Sequence, residues 1–295
     1  MTAKIISGTE IAKQIREELK KEIAELKEKR NLIPGLATIL VGSDPPSQVY
    51  VSSKVKTCEA LGIYSERHDL PAETDEPTLL GLIDRLNKDP KIHGILVQLP
   101  LPKHINETNI ILAVDPKKDV DSFHPVNVGK LMIGEPDYLP CTPHGIQELL
   151  IRSGGKISGA EVVVVGRSNI VGKPLANILL QKKAGANATV TVCHTGTDDI
   201  AFHTRRADIL IVALGKSNFI TADMVKEGAV VIDVGIHRIG KTAEGKAILC
   251  GDVDFNAVKE KVKAITPVPG GVGPMTITML MLNTLKAAKL AAGLA

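Results

Sequence analysis

Apolar positions along this chain follow two rhythms. Ile11, Ile15, Leu19, Ile23 and Leu26 recur at helical spacing among Lys and Glu residues, with Thr9 placed to cap the start. Pro34 and Gly35 end that amphipathic helix. Residues 36–41 are then a short apolar run, read as a buried strand. Gly42 to Pro46 is a turn cluster. The pattern next predicts a helix over 47–61 closed by Gly62, a strand over 63–68, a helix over 76–88 and a strand over 93–99. Strands and helices alternate, as in a mostly parallel sheet.

Prolines at 136, 140 and 143 break this pattern, and residues 144–153 read as a helix, so a domain boundary is expected near residue 145. Residues 161–165, Glu-Val-Val-Val-Val, form a β-branched run too short for a helix and suited to a strand covered on both faces. A Gly-containing turn from Gly166 to Pro174 leads into a helical segment reaching residue 183. Further strands are expected over 189–193, 207–214 and 229–235. Four parallel strands with crossovers predict a Rossmann-like, doubly wound sheet. The C-terminal apolar stretch over 275–290 is interrupted by Thr, Asn and Lys, which makes it a packed helix and no membrane span. The expected organisation is α/β in two domains, 1–145 and 146–274, with the helix of 275–295 packing back on the first.

The 295 residues are 44% hydrophobic and 23% charged, a balance able to support large buried cores. A net charge of +3 does not mark a nucleic-acid binder. Cys58, Cys141, Cys193 and Cys250 form no CxxC pair, and read as small buried apolar groups of a reducing, cytoplasmic compartment. The N-terminus lacks the apolar core of a signal peptide.

Candidate chemistry falls on a few segments. The turn after residues 161–165 has the parts of an anion cradle: a strand, a glycine turn and a helix N-terminus. Gly166 permits the sharp turn, Gly172 close backbone approach, and Pro174 suits a first helical turn. The spacing is not GxGxxG, so a merely tight turn is the competing reading. Where an NAD enzyme places an acid for the ribose, the next strand ends in His194 and Thr195, and Arg167 can pair with a 2′-phosphate; both favour NADP. Asp198 and Asp199 close by count slightly against that preference.

In the helix over 47–61, Ser47, Tyr50, Lys54 and Thr57 share one face, while Val51, Val55 and Cys58 share another that can pack inward. Tyr50 can stack on a flat ligand while Lys54, one turn on, reaches its reacting atom; alternatively both are solvated. Gln98 stands at the carboxyl end of a strand, where open parallel sheets gather ligands, or else anchors a loop. The acids of Lys117-Lys118-Asp119-Val120-Asp121 suit an aminopyrimidine edge or an exposed turn, and lack the clustered ligands of a metal site. Pro267 to Pro274 holds three prolines and three glycines, a stiff loop whose backbone can approach a ligand.

Six segments together resemble the bifunctional methylenetetrahydrofolate dehydrogenase/methenyltetrahydrofolate cyclohydrolase family. They are Ser47 to Lys54, Val97 to Pro102, Lys118 to Asp121, Pro140 to His144, Val165 to Ser168 with Val171 to Pro174, and Pro267 to Thr276, in order along the chain. The resemblance implies two domains with a cleft between them and two reactions. These are NADP-dependent oxidation of 5,10-methylenetetrahydrofolate to the 5,10-methenyl form, and its hydrolysis to 10-formyltetrahydrofolate. It implies that Lys54 is the central catalytic residue, tuned by Gln98, with Tyr50 stacking along the folate and Asp121 holding the pterin. Val97, Leu99, Pro269, Gly270, Gly271, Val272 and Gly273 would line the substrate. Gly166, Arg167, Ser168, Thr195 and Ile236 would contact NADP, and no metal would be needed. Tetrahydrofolate derivatives, polyglutamylated forms included, would be the ligands, with no nucleic-acid or membrane partner. A homodimer and a place in purine biosynthesis are further implications. Ser122 stands where members often have Gly, and Thr195 where Ser is common. A dehydrogenase alone, or a non-catalytic dinucleotide- or folate-binding module, are the alternatives.

Overall fold

The computed structural model describes residues 2–242, 245 and 247–294. Its elements are β1 (Lys4–Ile5), α1 (Gly8–Arg30), β2 (Gly35–Val41), α2 (Pro45–Leu61), β3 (Tyr64–Leu70), α3 (Glu76–Lys88), β4 (Gly94–Val97), α4 (Glu107–Ala113), α5 (Pro125–Met132) and α6 (Cys141–Arg152). There follow β5 (Glu161–Val165), α7 (Gly172–Leu180), β6 (Thr189–Cys193), α8 (Ile200–Thr204), β7 (Ile209–Val212), β8 (Val230–Asp233), β9 (His237–Lys241), β10 (Ala247–Cys250), α9 (Phe255–Val258), β11 (Ala264–Ile265) and α10 (Val272–Ala291). Two compact units emerge: one of residues 14–141 and 277–295, the other of residues 1–13 and 142–276. The three divisions fall inside α1, after the first residue of α6 and inside α10. The expected first domain of residues 1–145 differs at its start, because β1 pairs in parallel with β11 and so joins the second unit's sheet.

The first unit is built on a parallel sheet ordered β3-β2-β4. β2 is central and buried along its whole length, which is why its sequence is apolar apart from Thr38 and does not alternate. Ile39, Val41 and Ile95 pack on Leu79, Leu82, Ile83 and Leu86 of α3. Asp75 starts α3 by accepting from the Thr78 N–H, and Pro77 suits its first turn. The later part of α10 belongs to this unit. Its Thr278 hydroxyl accepts from Arg16 of α1, its Met281 sulfur touches Cys58 of α2, and its Lys289 pairs with Glu22.

The second unit carries six strands ordered β1-β11-β8-β7-β5-β6, all parallel. From β5 the chain crosses to β6 on one side and then to β7 on the other. The topological switch point therefore lies between β5 and β7, the place where such sheets take their ligands. Val163, Val165, Leu210, Val212, Val231 and Ile265 fill its core. The short helices α4, α5 and α8 are set by side-chain caps from Asn106, His124 and Asp199.

Thr9 does not cap α1. The helix starts one residue before it, the Ser7 hydroxyl takes the Glu10 N–H, and Thr9 instead bonds the Gly270 carbonyl through both its amide and its hydroxyl. Asp44 starts α2 by accepting from the Ser47 N–H, and Pro45 and Pro46 lie inside its first turn.

Gly94 of β4 has no room for a side chain: a methyl group there would lie 2.8 Å from Val120, which is fully buried between Asp119 and Asp121. Gly94→Ala is therefore expected to destabilise folding by about 1–3 kcal/mol, the usual range for overpacking, as read from urea denaturation.

Candidate active site

The site is built around an amine taken out of water. Lys54 lies on α2 with Ser47 and Thr57, and all three are buried, so this polar face is covered and not a solvated surface. Val51 and Cys58 are fully buried and Val55 half-buried. Tyr50, one turn before Lys54, is 39% exposed, leaving its ring available on the same side of the helix.

The Lys54 Nζ donates to Gln98 Oε1 at 2.9 Å. The orientation of Gln98 is fixed by its own bonds: Nε2 donates to the Leu99 carbonyl at 2.7 Å, and the backbone N–H donates to Ile39. The carboxamide oxygen must then face the amine. Gln98 thus does what both readings of the sequence allowed, anchoring the loop after β4 and meeting Lys54. Burial lowers the Lys54 pKa below the usual lysine value, while the Asp121 carboxylate acts in the opposite sense.

The segment from Lys117 to Ser122 is not an exposed turn. Ile95 of β4 donates to the Lys118 carbonyl and bridges to Asp119, so the segment lies along β4. Asp119 is consumed structurally, accepting from the His124 N–H and the Asn127 amide, each at 2.8 Å. Asp121 lines a small cavity with Val97, Leu99 and Phe123. Neither acid belongs to a metal-binding cluster, and no such cluster occurs among the described residues.

Ser122 has a φ of 62°, the left-handed conformation that glycine adopts most readily. Its hydroxyl donates to the Tyr138 carbonyl at 3.2 Å, which offsets part of the conformational cost. This settles the turn geometry: Ser122 makes the turn a glycine would make.

Two residues with no assigned chemistry in the sequence reading frame Asp121. Cys141 is buried and its thiol donates to the Val120 carbonyl at 3.5 Å; burial first, then the Asp121 carboxylate, raises its thiol pKa well above the ordinary value. Asn283 of α10 is buried and donates both amide protons at 2.8 Å, to the Val120 and Leu139 carbonyls. Cys141 lies in one of the six quoted segments; Asn283 offered only its polarity within an apolar helix.

In the second unit, the turn after β5 is as tight as its glycines suggest. Gly166 has a φ of 136°, and a Cβ there would lie 2.3 Å from the Ala213 carbonyl oxygen. A Cβ at Gly172 would lie 2.1 Å from the Gly166 oxygen. The Ser168 hydroxyl accepts from the Val171 and Gly172 N–H groups, holding the turn. Arg167 is exposed beside it, as are Thr195 at the end of β6 and Ile236 after β8. Asp199, the nearby acid, caps α8.

The loop of Pro269, Gly270 and Gly271 lies against the start of α1. Gly270 has a φ of 98°, and a Cβ at Gly8 would lie 1.7 Å from the Gly271 oxygen. Val272 and Gly273 already belong to the first turn of α10, so the expected loop is shorter and its N-terminal helical turn longer.

Comparison with known proteins agrees with this geometry. The model of the tetrahydrofolate dehydrogenase/cyclohydrolase catalytic domain matches residues 6–121, and that of the family's NAD(P)-binding domain matches residues 140–292. The chain belongs to the tetrahydrofolate dehydrogenase/cyclohydrolase family. It is 69% identical to the bifunctional protein FolD of Syntrophus aciditrophicus, over 100% of both chains. Among solved structures, the Campylobacter jejuni FolD dehydrogenase/cyclohydrolase is 48% identical, with a TM-score of 0.91 over 98% of this chain and 99% of that one. The Trypanosoma brucei FolD, complexed with NADP and an inhibitor, is 40% identical with a TM-score of 0.93 over 99% of each. The chain is an enzyme of one-carbon tetrahydrofolate chemistry, with dehydrogenase and cyclohydrolase activities.

The sign of the Asp121 effect is testable. Because that carboxylate raises the Lys54 pKa, Asp121→Asn is expected to lower it further, so the amine is neutral over a wider range of pH. Reductive ¹³C-methylation and NMR titration of Lys54 should show its midpoint moving to lower pH in the variant; a shift upward would contradict the arrangement.

Proposed function

We propose that this enzyme oxidises 5,10-methylenetetrahydrofolate with NADP and hydrolyses the resulting 5,10-methenyl cation to 10-formyltetrahydrofolate, with Lys54 as the acid/base residue of the second step. The observation that carries the assignment is the buried Lys54 Nζ held at 2.9 Å by an oriented Gln98. Tyr50 stacks along the folate, Asp121 binds the pterin edge, and the backbones at Val97 and Leu99 line the substrate. Pro269 to Gly273 supply further backbone contacts.

Hydrolysis begins as a water oxygen bonds to the methenyl carbon and releases a proton. A neutral amine can accept it, and burial favours the neutral form of Lys54. The ammonium so formed returns the proton to the folate nitrogen as its bond to that carbon breaks. Gln98 accepts one Lys54 N–H throughout, which fixes where the amine points. For the first step the chain's task is positioning.

NADP, when bound, accepts the hydride from the methylene carbon. The second unit fits it: Gly166 and Gly172 leave no room for a Cβ, and the turn opens at the N-terminus of α7, suited to a phosphate. Ser168 and Thr195 offer hydroxyls, Ile236 an exposed apolar side chain, and Arg167 a cation for the 2′-phosphate. The preference for NADP rests on Arg167 and on β6 ending without an acid.

Family resemblance supports a cytoplasmic homodimer that feeds purine biosynthesis and accepts polyglutamylated folates. Among the described residues no helix is long and apolar enough to cross a membrane.

Lys54→Met is expected to abolish the cyclohydrolase while some hydride transfer persists, as read from separate steady-state assays of the two half reactions. A fully active cyclohydrolase in that variant would remove the role given to Lys54. Arg167→Ala is expected to raise the KM for NADP by roughly tenfold, the effect of losing one charge-assisted contact, with little change for NAD. Equal turnover with both cofactors in the parent and the variant would overturn the preference.

A further inference from the structure

Two carboxylates buried in the second unit take no part in the chemistry above. Asp252 is fully buried and Asp233 almost so. Asp252 Oδ2 accepts the Leu214 and Gly215 N–H groups at 2.7 and 2.9 Å, fixing the turn that follows β7. Its Oδ1 meets the His237 ring at 2.7 Å. A carboxylate can only accept, so His237 donates through Nε2. Asp233, at the end of β8, accepts the N–H groups of Gly235, Asp252 and Val253 at 2.9–3.0 Å. The glycines around them are compulsory: a Cβ at Gly235 would lie 2.4 Å from Asp252 Oδ1, and one at Gly251 would lie 1.9 Å from Asp233 Oδ2.

These bonds converge on the loops at the switch point. Ala213, whose carbonyl blocks any side chain at Gly166, immediately precedes the Leu214–Gly215 turn that Asp252 holds. His237, held by the other oxygen, immediately follows Ile236. Backbone bonds from Asn218 to the Gly251 carbonyl and from Ile220 to that of Asp252 extend the brace along the same loop. One side chain therefore sets two cofactor-facing segments, while Asp233 sets that side chain's backbone. Neither carboxylate is needed merely to close the sheet, whose strands pair through their own backbones.

We propose that Asp252 is a positioning residue for the dinucleotide: through the Leu214–Gly215 turn and His237 it holds the segments beside Gly166 and Ile236 in the geometry that receives NADP. The proposal rests on the cofactor site given above and adds residues to it that do not touch the cofactor.

The bifunctional enzyme supplies its own control, since hydrolysis of the methenyl compound uses no NADP. Asp252→Ala is expected to raise the KM and Kd for NADP by roughly tenfold or more, the cost of removing hydrogen bonds to a charged acceptor. Cyclohydrolase kcat/KM should stay within about twofold, because that site lies on other elements. Asp252→Asn, whose amide oxygen can still take the Leu214 and Gly215 N–H groups, should recover most of the affinity. His237→Ala, at a partly exposed position, removes one arm only and should give a smaller loss of NADP affinity; it keeps the test decisive if Asp252→Ala does not fold. NADP affinity unchanged in folded Asp252→Ala, or in His237→Ala where the former does not fold, would overturn the proposal. So would an equal fall in both activities. Arg167→Ala, measured alongside, separates the two readings: if it too leaves NADP affinity unchanged, the cofactor site itself is misplaced.

Discussion

A primary amine shielded from water must be satisfied by its neighbours, and in this enzyme the chief neighbour is a carboxamide that cannot turn. Gln98 is held by Leu99 on one side and by β2 through its backbone on the other, so Lys54 finds an acceptor in one direction only. Desolvation lowers the cost of giving up the proton, which is what the acid/base role proposed for Lys54 requires. The surrounding structure serves that arrangement. α2 brings the lysine, the carboxyl end of β4 brings the glutamine, and the strip from Lys117 to Ser122 brings the opposing carboxylate. Asn127, Tyr138 and Asn283 all fasten that strip by hydrogen bonds to its backbone or to Asp119.

The dinucleotide unit solves a different problem. Its ligand is met by backbone, and backbone can be approached only where side chains are missing. Gly166 and Gly172 face carbonyl oxygens so closely that any Cβ would collide. Ser168 then uses its hydroxyl to hold the stripped turn in shape. In the proposed reading specificity falls to exposed side chains beside those glycines, among them Arg167 within the turn and Thr195 after β6.

The long elements were legible because burial imposed a period on them. The apolar run of β2, interrupted only by Thr38, and the valines of β5 announced strands covered on both faces, and the spacing of Leu79, Leu82, Ile83 and Leu86 announced α3. The two-residue strands β1 and β11 are too short to carry any period, and the antiparallel pair of β9 and β10 is largely exposed and irregular in register. The helices α4, α5 and α8 are set by caps more than by apolar spacing. At the site, the type of residue was readable and its environment was not. A lysine and a tyrosine on one helix face look solvated until the burial of Ser47, Lys54 and Thr57 shows that only Tyr50 on that face stays exposed. Asp119 and Asp121 look equivalent, but one is spent on the His124 turn and the other lines a cavity. Cys141 and Asn283 acquire meaning only from what the fold places against them.

The pairing of β1 with β11 carries a consequence for biosynthesis. Lys4 pairs with Ala264, a residue far along the chain. This edge of the nucleotide-binding sheet therefore stays open until the segment around Ala264 has been synthesised. The lysine-bearing unit waits longer still, since residues 277–295 complete it, so neither unit can close before the chain has passed Ala264.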